Sequence, residues 1–329
     1  MELRKDPITR SWVAIRDGEP REPAPEPCPY CPGGDFSAAR PLLSLPEFAA
    51  APQVRVFPQH DPLFRIEGET ARAAEGIYDK MRAVGAHEVV VELAAHDRRL
   101  SRASDQEIAL VLEAYARRLA DLKRDDRFKY VAVYKNVGAA AGQRVFHSHS
   151  EVVATPFVPR RVLHELRSAR EYFQMKDRCL FCDMLRQELK QATRVVEATD
   201  KFIAFCPFAT RSPYEIWLLP RQHHHKFETD PRRTAAGPEL ARLLRHTLQR
   251  VEQVAEGYNY VLHTTPNTSG SLGRVGFWAS LEEDFHWHLE LMPVVARTPR
   301  PYIAKEIYFA TVSPETAAER LRGFSVSDP

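Results

Sequence analysis

The sequence predicts an α+β protein built from two tandem copies of one unit. Three observations carry this. Phe146-His147-Ser148-His149-Ser150-Glu151 returns as Phe285-His286-Trp287-His288-Leu289-Glu290, each copy running into an apolar stretch that ends in proline. Cys28-Pro29-Tyr30-Cys31 returns as Cys179-Leu180-Phe181-Cys182. Glu88 to His96 spans eight residues, as does Glu215 to His223, and both pairs lie between a C-x-x-C and an H-x-H-x-E. A repeat of this length describes two domain-sized units rather than a solenoid of short ones.

Taken in order, residues 7–16 read as a turn and a short strand, and Pro20 to Pro32 as an extended, turn-rich entry. Residues 53–57 alternate as a strand, and Glu88 to Leu93 is a strong strand. From Ser104 to about Arg124, Ile108, Val111, Leu112, Tyr115, Leu119 and Leu122 recur at three- and four-residue steps, the period of a helix. Ser104 and Glu107 fit a capping box at its start. Lys129 to Tyr134 is a strand, Asn136 to Gly142 a Gly/Ala-rich loop, and the His147 strand follows. A helix over 160–178 leads out of the first unit. The second unit repeats the order: strands at 201–205 and 214–220, a helix at 238–256, a strand at 258–263, a loop from Asn267 to Gly273, and the His286 strand. The expected division is 1–165 and 166–329.

Composition narrows the class. The 329 residues suffice for two domains, with 44% hydrophobic and 27% charged residues, as in soluble globular proteins. A net charge of +2, with both signs mixed along the chain, argues against a nucleic-acid partner. No apolar run approaches the ~20 residues of a membrane helix. The opening Met1-Glu2-Leu3-Arg4-Lys5-Asp6 has no apolar core of a signal peptide, so a cytoplasmic location is expected. There, paired cysteines serve metal or redox chemistry more than disulfides. Cys28 lies in a proline-rich loop, which suits a zinc knuckle better than a redox pair. Cys206 stands alone and reads as a core residue.

Each unit thus offers two cysteines, a histidine after a strand, and the first histidine of H-x-H. The expected zinc sets are Cys28, Cys31, His96 and His147, and Cys179, Cys182, His223 and His286. Two thiolates and two imidazoles complete a tetrahedral shell, so both sites are expected to be structural. Among His223, His224 and His225, the eight-residue match selects His223. His60, His87, His164, His246 and His263 carry no such pattern and read as surface or core residues.

His149 and His288 are then left free. Side chains at alternate positions of a strand share a face, so His147, His149 and Glu151 line one wall. An imidazole held beside a rigid metal anchor, with its second nitrogen bonded to a fixed acceptor, is a competent nucleophile toward phosphorus. The backbone N–H groups of Asn136 to Gln143, with Arg144, could hold phosphate oxygens. The combination points to phosphoryl or nucleotidyl transfer at His149.

The chain resembles the galactose-1-phosphate uridylyltransferase family of the histidine-triad superfamily, including its adenylyl-transferring relatives that act on ADP-sugars. The resemblance runs nearly end to end. Its residues are Arg4 to Val13, Cys28-Pro29-Tyr30-Cys31-Pro32-Gly33, Val54-Arg55-Val56-Phe57-Pro58, Lys135-Asn136-Val137-Gly138 through Gly142, His147-Ser148-His149, Pro213 through His223, and Phe285 through Glu290. It implies two histidine-triad-like repeats, each an antiparallel sheet with packed helices. It implies two zinc ions and ping-pong chemistry, in which His149 takes a nucleoside monophosphate from a nucleoside diphosphate hexose and passes it to a hexose 1-phosphate. In the phosphorylase relatives the acceptor is phosphate. Arg55, Gln59, Asn136, Gly142, Gln143 and Arg144 fall where the family contacts substrate, and His288 is a degenerate copy with a structural or substrate-contacting role. A homodimer is implied.

The departures are Glu151, where the family carries a phosphate-binding glutamine, Arg144 in place of a serine, and Gln59 in place of an asparagine. A carboxylate beside phosphate is repulsive unless protonated or paired, and Arg144 is a candidate partner of Glu151. The segment from Tyr302 to Ser313 lacks the family's sugar-binding motif. Glu151 opens two further readings: a nucleotide hydrolase with Glu151 as base, or a binding protein without turnover.

Overall fold

In order, the chain forms β1 (Glu2–Lys5), β2 (Trp12–Ile15), β3 (Leu43–Leu45), β4 (Val54–Pro58), β5 (Ala73–Glu75), β6 (Tyr78–Arg82), β7 (Ala86–Val91), α1 (Asp105–Leu122), β8 (Tyr130–Val137) and β9 (His149–Thr155). Then come α2 (Arg160–Lys176), α3 (Leu180–Gln191), β10 (Val195–Ala198), β11 (Phe202–Phe205), β12 (Ile216–Pro220), α4 (Glu239–Val251), β13 (Gly257–His263), β14 (His288–Val294) and α5 (Pro314–Gly323). These assignments come from a computed structural model that describes residues 1–16, 27–34, 40–232, 238–269, 278–295 and 307–327. Most of the proline-rich entry, the 270–273 part of the second loop and residues 302–306 lie outside the described residues.

The two expected sheets meet edge to edge and continue as one. Its ten strands run β10-β11-β12-β14-β13-β8-β9-β7-β4-β3, five from each unit, and every neighbouring pair is antiparallel. The join is β13 against β8, with Val261 opposite Tyr134. Read from either edge the strand roles match, so the second unit is the first turned about an axis through that join. A separate four-stranded sheet, β2-β1-β6-β5, packs Leu3 and Met81 against Phe64 and Val153.

Helices α1 and α4 cover one face of the large sheet. Their apolar stripes, including Ile108, Leu112, Leu119, Leu244 and Leu248, bury against Val90, Val131, Val133, Val152 and Leu262. The capping box at Ser104 and Glu107 is present in both directions, so α1 starts where the sequence placed it. Its end is tied across the units: Lys123 Nζ lies 2.6 Å from Glu228, with both side chains buried. On the other face, α2 and α3 pack Val162, Leu166, Phe181 and Leu185 onto Ile203, Phe205 and Leu219. The expected division between 165 and 166 falls within α2.

Candidate active site

The Cys28–Cys31 segment is a knuckle of two turns, with Cys31 N–H donating to the Cys28 carbonyl and Gly34 N–H to that of Cys31. A Cβ at Gly34 would stand 2.3 Å from the Cys28 oxygen, so only glycine closes the knuckle. The ligand atoms of Cys28, Cys31, His96 and His147 lie within 4.8 Å of one another, and Cys31 Sγ is 3.2 Å from His96 Nδ1 and 3.5 Å from His147 Nδ1. His147 Nε2–H donates to the Leu93 carbonyl at 2.7 Å, which leaves the Nδ1 lone pair facing the thiols.

The second set repeats the contacts of the second cysteine with both histidines. Cys182 Sγ is 3.5 Å from His223 Nδ1 and 3.7 Å from His286 Nδ1. His286 Nε2–H donates to the Pro220 carbonyl and His223 Nε2–H to that of Glu282. Leu93 and Pro220 each lie three residues before the strand-end histidine of their set. Both groups have the donors and the tautomers to hold a metal ion. The second C-x-x-C differs in setting: Cys179 caps α3, where the first pair forms a turn.

His149 opens β9, opposite Val91 of β7. Its Nδ1–H donates to the His147 carbonyl at 2.7 Å, so Nε2 carries the lone pair. Burial, with the Lys135 cation behind the strand, holds the imidazole below its ordinary pKa and therefore neutral at pH 7. The ring lies 5.2 Å from that of Tyr30, which the knuckle brings over the sheet.

Glu151 does not meet Arg144, its candidate partner from sequence. Its Oε2 accepts from His87 Nε2–H at 2.8 Å and from the Tyr134 hydroxyl. Burial opposes its charge, but the His87 and Tyr134 bonds outweigh burial and hold the carboxyl below its ordinary range. His87 lies on β7, opposite Val153 of β9, and on the same face as Val89 and Val91. Sequence reasoning missed it because the strand was started at Glu88; one residue more of alternation would have placed His87 on this wall.

Two family models match: galactose-1-phosphate uridyl transferase, N-terminal domain, over residues 59–159, and C-terminal domain, over residues 165–295. Among curated proteins, an ADP-glucose phosphorylase of Arabidopsis thaliana is 29% identical over 99% of this chain and 93% of its own. A galactose-1-phosphate uridylyltransferase of Thermotoga maritima is 30% identical over 68% of this chain and 67% of its own. Among solved structures, an Arabidopsis thaliana ADP-glucose phosphorylase with bound ADP-glucose superposes with a TM-score of 0.77 at 27% identity, covering 99% of this chain and 100% of that one. The chain belongs to the galactose-1-phosphate uridylyltransferase family. It is a nucleotidyltransferase of that family.

Within this member of the uridylyltransferase family, the other expected contacts fall into two groups. Arg55 donates to the Tyr30 carbonyl at 2.8 Å, and Gln59 is hydrogen-bonded to the Tyr30 side chain, so both fix the knuckle against the wall of His149. Asn136 is tied to Asn259 across the join, and Gly142 closes the loop at a φ of +90°. Gln143 is committed inside the loop: its Oε1 accepts from Gly138 N–H and its Nε2 donates to the Val145 and Phe146 carbonyls. It shapes the loop and also borders the cavity lined by Arg144. Arg144 lines a cavity of about 250 Å³ with Leu100, Lys135, Ser148 and Tyr258, on the helix-covered side and away from Glu151.

His288 is fully buried, stacked on His263 at 4.6 Å and on Trp217 at 5.1 Å, which fits the structural one of its two expected roles. It belongs to a charged group that the sequence did not disclose: Glu165, His263, His288 and Glu290, whose ligand-type atoms lie within 4.8 Å. His263 Nδ1 is 2.8 Å from Glu165 and Nε2 is 3.3 Å from Glu290. Glu290 also takes Arg211 at 2.7 Å. Against burial, the two carboxylates push the His263 pKa up to about 10, so it is an imidazolium at neutral pH.

Proposed function

We propose that this chain moves a nucleoside monophosphate from a nucleoside diphosphate hexose to a phosphate-bearing acceptor through a covalent nucleotidyl-His149. The observation that carries this reading is His149 itself: neutral, with Nδ1–H fixed on the His147 carbonyl and its Nε2 lone pair available. Nε2 attacks the α-phosphorus, the bond to the bridging oxygen breaks, and the sugar 1-phosphate leaves with the electron pair. An oxygen of the acceptor then attacks phosphorus, and the N–P pair returns to Nε2.

The first choice of donor is UDP-glucose, with a hexose 1-phosphate as acceptor. A second reading is an ADP-sugar with orthophosphate as acceptor, favoured by the end-to-end match to an ADP-glucose phosphorylase. The thiol and imidazole donors suit zinc in both Cys2His2 groups, and neither ion takes part in the chemistry; each ties loop, strand end and β9 or β14 together. Arg55 and Gln59 support the nucleotide side of the site, and the loop from Asn136 to Gly142 offers backbone N–H groups to the phosphate oxygens. We further propose a cytoplasmic homodimer with units divided near 165; among the described residues no helix is long and apolar enough to cross a membrane.

The test is product analysis with UDP-glucose or ADP-glucose, each offered galactose 1-phosphate or orthophosphate. A new nucleotide sugar, or a nucleoside diphosphate formed from orthophosphate, supports transfer. Nucleoside monophosphate as the sole product overturns it in favour of a hydrolase using Glu151.

A further inference from the structure

We infer that Lys135 and Glu92 form a buried ion pair whose role is to position the main chain of His149. This rests on the assignment of His149 as nucleophile. The ladder between β8 and β9 ends at Tyr134 opposite Glu151, two residues short of His149. The β7 ladder does reach His149, opposite Val91. The nucleophile is thus paired on one side only, and its carbonyl has lost the strand partner it would otherwise have on β8.

Lys135 fills that place. Its Nζ donates to the His149 carbonyl at 2.8 Å, to Ser148 Oγ at 3.1 Å and to Glu92 Oε2 at 2.5 Å, which uses all three ammonium protons. Glu92 grips the same segment from the β7 side. Its N–H donates to the Ser148 carbonyl at 3.1 Å, and its carboxylate accepts from Ser148 Oγ at 2.6 Å and from the Tyr115 hydroxyl at 3.0 Å. The Tyr115 oxygen in turn lies 2.8 Å from Ser150 Oγ, whose hydroxyl donates to it. Four consecutive residues, His147 to Ser150, are therefore held by the metal group at one end and by this network behind.

The fold does not require the charges. Lys135 is 2% exposed and Glu92 0%, and two ions so deeply buried stabilise a fold no better than apolar residues of similar volume. The second unit demonstrates the alternative. Tyr134 opposite Glu151 corresponds to Val261 opposite Glu290, so Lys135 corresponds to Leu262 and Ser148 to Trp287. Both are buried in the apolar core beneath α1 and α4. That unit carries the sealed His288; the polar network occurs behind the histidine with the available Nε2.

The experiment compares Lys135→Met/Glu92→Gln, which removes both charges together, with the wild type. The readout is the first half-reaction, transfer of α-phosphorus label to the protein from whichever of UDP-glucose and ADP-glucose labels the wild type. The labelling rate at saturating donor should fall about 100-fold, the scale of a 1 Å misplacement, while half-saturating donor and metal content stay within about twofold. A rate within about threefold of wild type, with fold and metal intact, overturns the inference. If the double variant does not fold, Ser148→Ala decides: a fall of about tenfold upholds the network and an unchanged rate removes it. His149→Asn is run in parallel. Label on His149→Asn sinks the nucleophile assignment and this inference with it; an unlabelled His149→Asn beside a normal double variant sinks this inference alone.

Discussion

His87 donates to Glu151 through Nε2–H, and the direction is fixed because Leu63 N–H donates to His87 Nδ1 at 3.1 Å. The histidine is therefore neutral, and the glutamate accepts as a carboxylate. A carboxylate then faces the site where the family resemblance implies a glutamine amide. Like charges at about 4 Å repel by about 1 kcal/mol even in water-like surroundings. Glu151→Gln should therefore lower the KM for a nucleotide sugar by about fivefold while preserving transfer, as read in steady-state kinetics. If it instead abolishes the release of nucleoside monophosphate, Glu151 is a base and the enzyme a hydrolase.

The same contact sets a pH limit. The folded-state pKa of Glu151 is depressed below 4.5, so its contribution to stability is present above that value and is lost as the pH falls through the folded one. His87→Ala removes the first of its two donors and should move this acid loss to higher pH. Acid unfolding curves of the two proteins measure the displacement.

His263 gives the opposite sign. Its pKa rises from 6.5 to about 10 on folding, so its contribution is complete below about 6.5 and fades as the pH climbs through about 10. Melting temperature should decline across that window in the wild type. His263→Gln should be less stable at pH 7 and flatter above it, because Glu165 and Glu290 lose the cation between them.

Metal and chemistry separate by residue. Chelation, or His147→Asn, should lower metal content and melting temperature together, since binding at a structural site is coupled to folding. His149→Asn should keep both and lose turnover. Metal analysis beside thermal melts distinguishes the two cases.

Lys123 and Glu228 tie the units at the end of α1, and both are buried. Lys123→Met leaves Glu228 without its cation and should cost about 3–5 kcal/mol in a denaturant titration.

Much of this was legible in sequence because the decisive signals are local. Capping at Ser104, the apolar stripe of α1 and the H-x-H-x-E alternation are short-range patterns, and the structure follows them. Both Cys2His2 groups assemble from the eight-residue match. What was missed is non-local or short. The join of β8 to β13 leaves no mark on either strand, and β10 and β1 have four residues each. Helix α3 begins at the second C-x-x-C, whose ligand pattern overlies the helix start. Arg144 was a candidate to neutralise Glu151 beside a phosphate, yet the loop turns it to the helix-covered side. Partners such as His87 and Lys135 act across strands, a relation that register decides and sequence spacing does not.

The measurement that tests the central claim most directly is trapping of the intermediate. The purified protein is mixed, without acceptor, with UDP-glucose or ADP-glucose labelled at the α-phosphorus. Acid-labile, base-stable label on the protein, absent from His149→Asn, is the predicted result, and the donor that delivers it names the base. No label from either donor on a folded, metal-replete protein, or equal label on His149→Asn, contradicts a nucleotidyl-His149.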